Sequence, residues 1–357
     1  MMYKETIVEL QSFGLKTADN IKNDRKGGAG PADGGTFIID NTYVNIPMSG
    51  KYVDSSPYSI ATLEGRYILR KHQKNLMMID KRVRPSFYDL KTDDGIPYSK
   101  IALLHGSDCL ASTIFQKCIY WNSKDRCRFC GIELSLKSNK TIKLKTPDQL
   151  AEVSRVAFEK GYIKHVLLTV GTFNQSENTL KYIADCTKQI KADTQLPIHV
   201  QFMPPGDEDQ MWMLKEAGVD TVGIHFESFD EKILSQIAPA KHRLGIKKYT
   251  KTWKKAVEIF GKNQVSSFII TGIGELKSSV IDGAEYLSDI GVFPFIVPLR
   301  PIPGSMLEDR KPPEAQEMIK IYEKVSRILE KYDLSSQKSK AGCVRCGACS
   351  ALPLFEN

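Results

Sequence analysis

No run of 18 apolar residues occurs anywhere in the 357-residue chain, so no segment has the composition of a membrane-spanning helix. A basic-then-apolar leader is missing as well. Both absences lead to the expectation of a cytoplasmic protein with no membrane partner, whose thiols stay reduced. In that setting the eight cysteines point to metal or redox ligation before they point to disulfides. Nucleic-acid motifs are absent, and aromatic residues do not interleave with the basic ones, so DNA and RNA are not expected partners. No internal repeat is visible beyond an alternation of strand and helix signals.

What is present begins with an apolar fraction of 41% and a formal charge of +8. The length suits one large α/β domain with extensions, or two small domains. Much of the charge falls in Lys241-His242-Arg243, Lys247-Lys248, Lys251 and Lys254-Lys255. This is either a solvated helix face or a docking surface for an acidic protein or anionic substrate.

Residues 1–97 read as an N-terminal, β-containing extension. A short helix is expected around Thr6–Phe13, and a Gly/Pro-rich irregular segment over 26–35. A hairpin follows from Thr36–Asp40 and Tyr43–Ile46, joined through Asn41-Thr42. From residue 98, strands are expected at Ala111–Phe115, His165–Thr169, Pro197–Phe202, Thr221–Phe226, Ser266–Ile270 and Phe293–Pro298, alternating with helices. Thr146 with Pro147 reads as one helix start, and Gly218 and Gly261 as helix stops. Six β-then-α units predict an α/β fold, a partial (β/α)6 barrel over 98–312, with chemistry at the C-terminal strand ends. Residues 313–357 are a helix, a polar linker at Ser335–Lys340 and a tail.

Six cysteines fall into two triplets, Cys118, Cys127 and Cys130 after the first barrel strand, and Cys343, Cys346 and Cys349 in the tail. Three thiolates in one loop hold three irons of a [4Fe–4S] cubane and leave the fourth iron open to a small molecule. A structural zinc site instead wants four ligands, with His105 or Cys109 the local candidates. The tail triplet reads as an auxiliary [4Fe–4S] site, a zinc knuckle or an electron relay. Its fourth ligand is Cys109, a serine such as Ser350, or no residue at all. Cys186 lies in a helical pattern and reads as a buried small hydrophobe.

The loop Cys118-x8-Cys127-Arg-Phe129-Cys130 resembles the cluster loop of the radical S-adenosylmethionine (radical SAM) superfamily, whose usual spacing is Cys-x3-Cys-x2-Cys. Phe129 fills the aromatic place, and the first gap is longer than usual. Segments 100–106, 127–133 and 341–351 resemble biotin-synthase-related members. Two branches are similar: a two-protein lipoyl synthase, which inserts sulfur into a protein-bound octanoyl chain, and a radical SAM protein encoded beside nitrilases.

The resemblance implies S-adenosylmethionine bound at the open iron. Thr169 and Gly171 would meet its methionyl amine, Glu227 its ribose, Gly272 and Gly274 its adenine, and Arg243 its carboxylate. It also implies an electron donor such as ferredoxin or flavodoxin. In the lipoyl branch it implies an acidic lipoyl-carrier protein and a second radical SAM protein. Apart from the resemblance, Asp33 with its glycines reads as a lid, an anion nest or an ordinary surface loop. His105 and Asp108 precede the first strand and either face substrate or, for the histidine, sit buried and hydrogen-bonded. Arg300 points toward the barrel mouth as a contact to substrate or carrier.

Overall fold

The computed structural model describes residues 2–17, 34–63, 66–173 and 176–356. Asp33 and most of the Gly/Pro-rich segment lie outside the described residues; Gly34 and Gly35 begin the first strand. Five antiparallel strands follow: β1 Gly34–Ile39, β2 Thr42–Pro47, β3 Tyr58–Leu63, β4 Arg66–Lys71 and β5 Lys74–Lys81, in the order β2-β1-β5-β4-β3. The expected hairpin is there, but its turn is Asp40-Asn41 rather than Asn41-Thr42. Both residues take positive φ, 46° and 63°, and Ile39 pairs with Thr42. Two left-handed residues match the twist of tightly joined strands, and Asp and Asn tolerate that conformation where Thr does not.

The second sheet holds β6 Leu103–His105, β7 Cys109–Phe115, β8 His165–Val170, β9 Ile198–Gln201, β10 Thr221–Gly223, β11 Val265–Thr271 and β12 Phe293–Pro298. Their order is β12-β11-β10-β9-β8-β7-β6. The six strands β7 to β12 are parallel, as the alternation implied, and β6 adds an antiparallel edge that the periodicity did not disclose. Helices cover the outer face. Thr146 caps the helix Pro147–Glu159 through a reciprocal bond pair with Gln149. Gly218 and Gly261 end their helices with φ of 95° and 98°.

Strand alternation sorts the side chains. Leu110, Val166, Leu168, Val200 and Val222 join the main core, whereas Cys109, Ala111 and Leu167, of opposite parity, form a separate cluster with Cys343 and Cys346. The tail therefore lies against the inner face of the curled sheet, with the short helix Gly342–Cys346 touching β8, β9 and β12.

The segment Ser335–Lys340 is not a loose linker. Asn263 exchanges two hydrogen bonds with Ser335 (2.9 and 2.8 Å), and Gln264 bonds Lys338 O and Lys340 N–H at 2.9 and 3.1 Å. Polar composition alone does not distinguish a solvated linker from a strap whose backbone is satisfied by side-chain amides of another segment.

Candidate functional site

The loop after β7 winds from Cys118 to Cys130 through successive tight turns: Trp121 N–H to Cys118 O, Ser123 to Tyr120, Arg126 to Ser123 and Cys130 to Cys127. Trp121, 5% exposed, fills the inside of the loop, and the Arg126 guanidinium lies 3.5 Å from its ring centroid. Arg128 N–H bonds Ile237 O, and Met306 N–H bonds Arg128 O, pinning the loop to two other segments. The long Cys118–Cys127 gap is thus a folded insert around one tryptophan, and it still brings all three cysteines to one cavity.

That cavity, about 170 Å³, is lined by Cys118, Cys127, Cys130, Phe129, Trp121, Gly171, Met203, Glu227 and Lys241 among others. Burial pushes the Cys127 thiol up to about 12 and the Cys130 thiol up to about 11. Gly171 sits where a Cβ would come 1.8 Å from Lys117 O, so the strand end approaches the cysteine loop only with glycine there. Glu227 is 4% exposed and takes a left-handed φ of 77°, a strained state for a non-glycine residue. Lys241 Nζ bonds its Oε1 at 2.5 Å and His225 O at 2.7 Å. Burial works against the Lys241 charge, but Glu227 outweighs it and raises the amine. Glu227 Oε2 is buried and has no hydrogen-bond partner.

These features fit a cluster with an adenosyl ligand. Three thiols open on one space, and an orphaned carboxylate oxygen beside them awaits a donor such as a ribose hydroxyl.

The remaining residues expected at this site are not part of that lining. Thr169 faces the barrel interior and bonds Thr113 Oγ1 at 2.9 Å. The Arg243 fork is taken by Asp125 of the cysteine loop (2.6 and 2.9 Å), so it clamps the loop and does not line the cavity. Gly272 and Gly274 are not in its lining either. A Cβ at Gly272 would meet Pro313 at 2.6 Å, one at Gly274 would meet Arg310 at 2.5 Å, and Glu275 closes the turn by accepting from Gly272 and Ile273 N–H at 2.9 Å each. Lys241, Trp121, Arg126 and Met203 escaped the sequence reading. Only the fold brings Lys241 to Glu227, and no local pattern marks it.

The second triplet collects a different set. Cys343 Sγ accepts from Gln201 Nε2 at 3.4 Å, and the His105 ring lies between Cys346 and Cys349. His105 and Cys109, considered as zinc ligands beside the first triplet, thus belong to the tail site. Burial raises the thiols of Cys109, Cys343 and Cys349. Ser350 Oγ donates to Ile296 O at 2.6 Å and accepts from Leu352 N–H at 3.2 Å. Asp108 pairs with His165 at 3.4 Å. Arg300 donates to Asn45, not to the mouth. Cys186 is fully buried, as its helical pattern implied. Among the described residues, no three His, Cys, Asp or Glu side chains are gathered so as to hold a single ion.

The basic stretch is largely neutralised within the chain. Besides Lys241 and Arg243, Lys248 and Lys251 both reach Glu208, at 2.5 and 2.6 Å, and Lys255 reaches Asp209 and Glu258. Its sequence charge therefore overstates the free charge available for docking. Burial would raise the Glu208 carboxyl, but the two lysines override it and hold it at about 2, below the usual 4.5. A depressed carboxyl stabilises the fold above its unfolded value, and the gain is lost as pH falls from about 4.5 to about 2. Glu208→Gln is expected to cost about 2–3 kcal/mol at pH 7 and much less near pH 2. Denaturant melts at both pH values check this.

A single space lined by three cysteines from one strand-end loop, on a partial barrel, is the arrangement of a radical SAM domain. The radical SAM superfamily model matches residues 124–287, just under half of the chain. The chain carries that domain, and the family implies a [4Fe–4S] cluster and S-adenosylmethionine.

Its homology extends to two curated proteins. The bacteriochlorophyllide c C-7(1)-hydroxylase of Chlorobaculum limnaeum is 23% identical over 264 residues, covering 68% of this chain and 65% of the hydroxylase. The biotin synthase of Hydrogenobaculum sp. (strain Y04AAS1) is 26% identical over 223 residues, covering 58% and 62%. The chain thus spans just under two thirds of the length of each. In fold it resembles HydG, a maturase of the [FeFe]-hydrogenase, with a TM-score of 0.50 and 16% identity over 67% of this chain and 53% of that one.

Proposed function

We propose that this protein is a radical SAM enzyme that inserts sulfur at an unactivated C–H bond, with both cysteine triplets serving one barrel interior. The observation that carries the reading lies on one extended segment. Gln201 contacts Cys343 of the tail, and Met203 lines the cavity of the first triplet. Two residues of extended chain span only roughly 7 Å. A substrate held between them has a radical source on one side and a sulfur source on the other.

When bound, the first cluster would supply the electron that cleaves S-adenosylmethionine to methionine and a hydrogen-abstracting 5′-deoxyadenosyl radical, and a second would supply sulfur and accept the electron left over. The chain's own residues orient and shield. Cys118, Cys127 and Cys130 would hold the first group, and Cys343, Cys346 and Cys349 the second. Glu227 Oε2 would accept from a ribose hydroxyl, its Oε1 held by Lys241 Nζ. Trp121 and Phe129 exclude water from the thiolates.

An octanoylated carrier, converted as in lipoyl synthesis, is the first substrate of this proposal. The test is an anaerobic incubation of the full chain with that carrier, S-adenosylmethionine, a reductant and the second radical SAM protein. A sulfur-bearing mass increase on the carrier supports it, and an unchanged mass with 5′-deoxyadenosine released removes this substrate. Replacing Cys343, Cys346 and Cys349 by Ala is expected to abolish the sulfur-bearing product while S-adenosylmethionine is still cleaved.

One observation favours a second reading, in which the substrate is a small polar metabolite such as a nitrile-related compound. The inner wall between the triplets carries Thr113, Thr169, Gln201 and His225 rather than aliphatic side chains alone. His225 Nδ1 accepts from Phe268 N–H at 3.2 Å, which leaves its buried Nε2 donor without a partner. An alkyl chain offers nothing to such a donor.

A further inference from the structure

The tail site includes a side chain that neither triplet supplies. β6 and β7 form a hairpin in which His105 pairs with Cys109. Its turn is pressed against the tail: Gly106 takes φ 56°, and a Cβ there would lie 2.4 Å from Cys346 Sγ. Arg82 fixes the turn from outside by donating to the carbonyls of both Gly106 and Leu104. The imidazole it delivers is 6% exposed, with Nδ1 3.2 Å from Cys346 Sγ and Nε2 3.3 Å from Cys349 Sγ.

A neutral imidazole has one N–H and one lone pair. Between two thiols both are satisfied, since the N–H faces one sulfur and an S–H faces the lone pair. A ring nitrogen held 3.2 Å or 3.3 Å from a sulfur of the triplet lies within reach of an iron that this sulfur would hold.

We infer that His105 is the nitrogen ligand completing the coordination of the tail cluster, an inference that rests on the proposal that Cys343, Cys346 and Cys349 hold one. Both hydrogen-bonding roles of Ser350 are taken by Ile296 O and Leu352 N–H. Cys109 packs with Ala111 and Leu167 against Cys343 and Cys346, and is the competing ligand that the test below separates from His105.

The test uses the full chain with Cys118, Cys127 and Cys130 replaced by Ala, reconstituted with iron and sulfide and then reduced. Pulsed electron paramagnetic resonance on protein labelled with ¹⁵N-histidine reads the bonded nitrogen directly. Expected is a hyperfine coupling of the size of a directly bonded nitrogen, altered by the label and lost in His105→Ala and in His105→Cys. The cysteine variant, which can still ligate, is expected to keep its iron. A coupling of hydrogen-bond size, none at all, or one that survives in His105→Cys overturns the assignment. Loss of the cluster in Cys109→Ala with the histidine coupling absent from the parent protein would assign the fourth position to Cys109. If the parent protein takes up no iron at the tail, the tail cluster itself is wrong, a result distinct from iron bound without histidine.

Discussion

Replacement of Cys127 by Ala is expected to bring 5′-deoxyadenosine formation down to background, a loss of at least about 10³-fold. Even partners that only orient a metal ligand cost roughly 10–100-fold when removed, and Cys127 is itself a ligand in the proposed site. Its place makes substitution by a neighbour impossible. Cys118 and Cys130 would each serve another corner of the proposed cluster, and His105 and Cys109 lie at the tail triplet. Iron content after anaerobic reconstitution, measured beside product release, separates loss of the cluster from a damaged fold. A variant that still cleaves S-adenosylmethionine at the parent rate would refute the assignment of this loop.

The second large effect falls on stability. Lys241→Met leaves the Glu227 carboxylate, 4% exposed, with its charge partner gone and Oε2 already unpartnered. Stranding one member of a buried pair costs about 3–5 kcal/mol, which for a chain of this size corresponds to a fall in Tm of roughly 4–7 °C. Adding Glu227→Gln to Lys241→Met removes the stranded charge and is expected to recover most of that loss. Thermal melts of the parent, both single variants and the double variant complete the cycle. Recovery absent in the double variant would mean that Lys241 acts through packing rather than through charge.

The parts of this molecule that were legible in its sequence are those written locally. Six strands of β-branched and aromatic residues, each followed by a helical pattern, gave the parallel order, and Thr146 with Pro147 marked a helix start to the residue. The cysteine loop announced itself through clustering despite its unusual gap. What was not legible depends on residues far apart in the chain. The pairing of Glu227 with Lys241, the pairing of Arg243 with Asp125 and the placing of His105 against the tail are made by the barrel's curvature. Gly272 and Gly274 illustrate the converse case. Glycines at a strand end suggested an approaching ligand, yet the atoms that come close belong to Pro313 and Arg310. A glycine reports that something must come near and does not report what.

The Ala348 carbonyl, between two cysteines of the tail, accepts from Asn45 N–H at 2.8 Å and from Gln11 Nε2, 337 residues earlier, at 3.2 Å. Contacts of such separation form late, because the intervening chain must first be ordered. The first triplet, by contrast, is gathered within thirteen consecutive residues. The two triplets therefore differ in what their assembly requires: one is local in sequence, and the other depends on contacts with the N-terminal sheet.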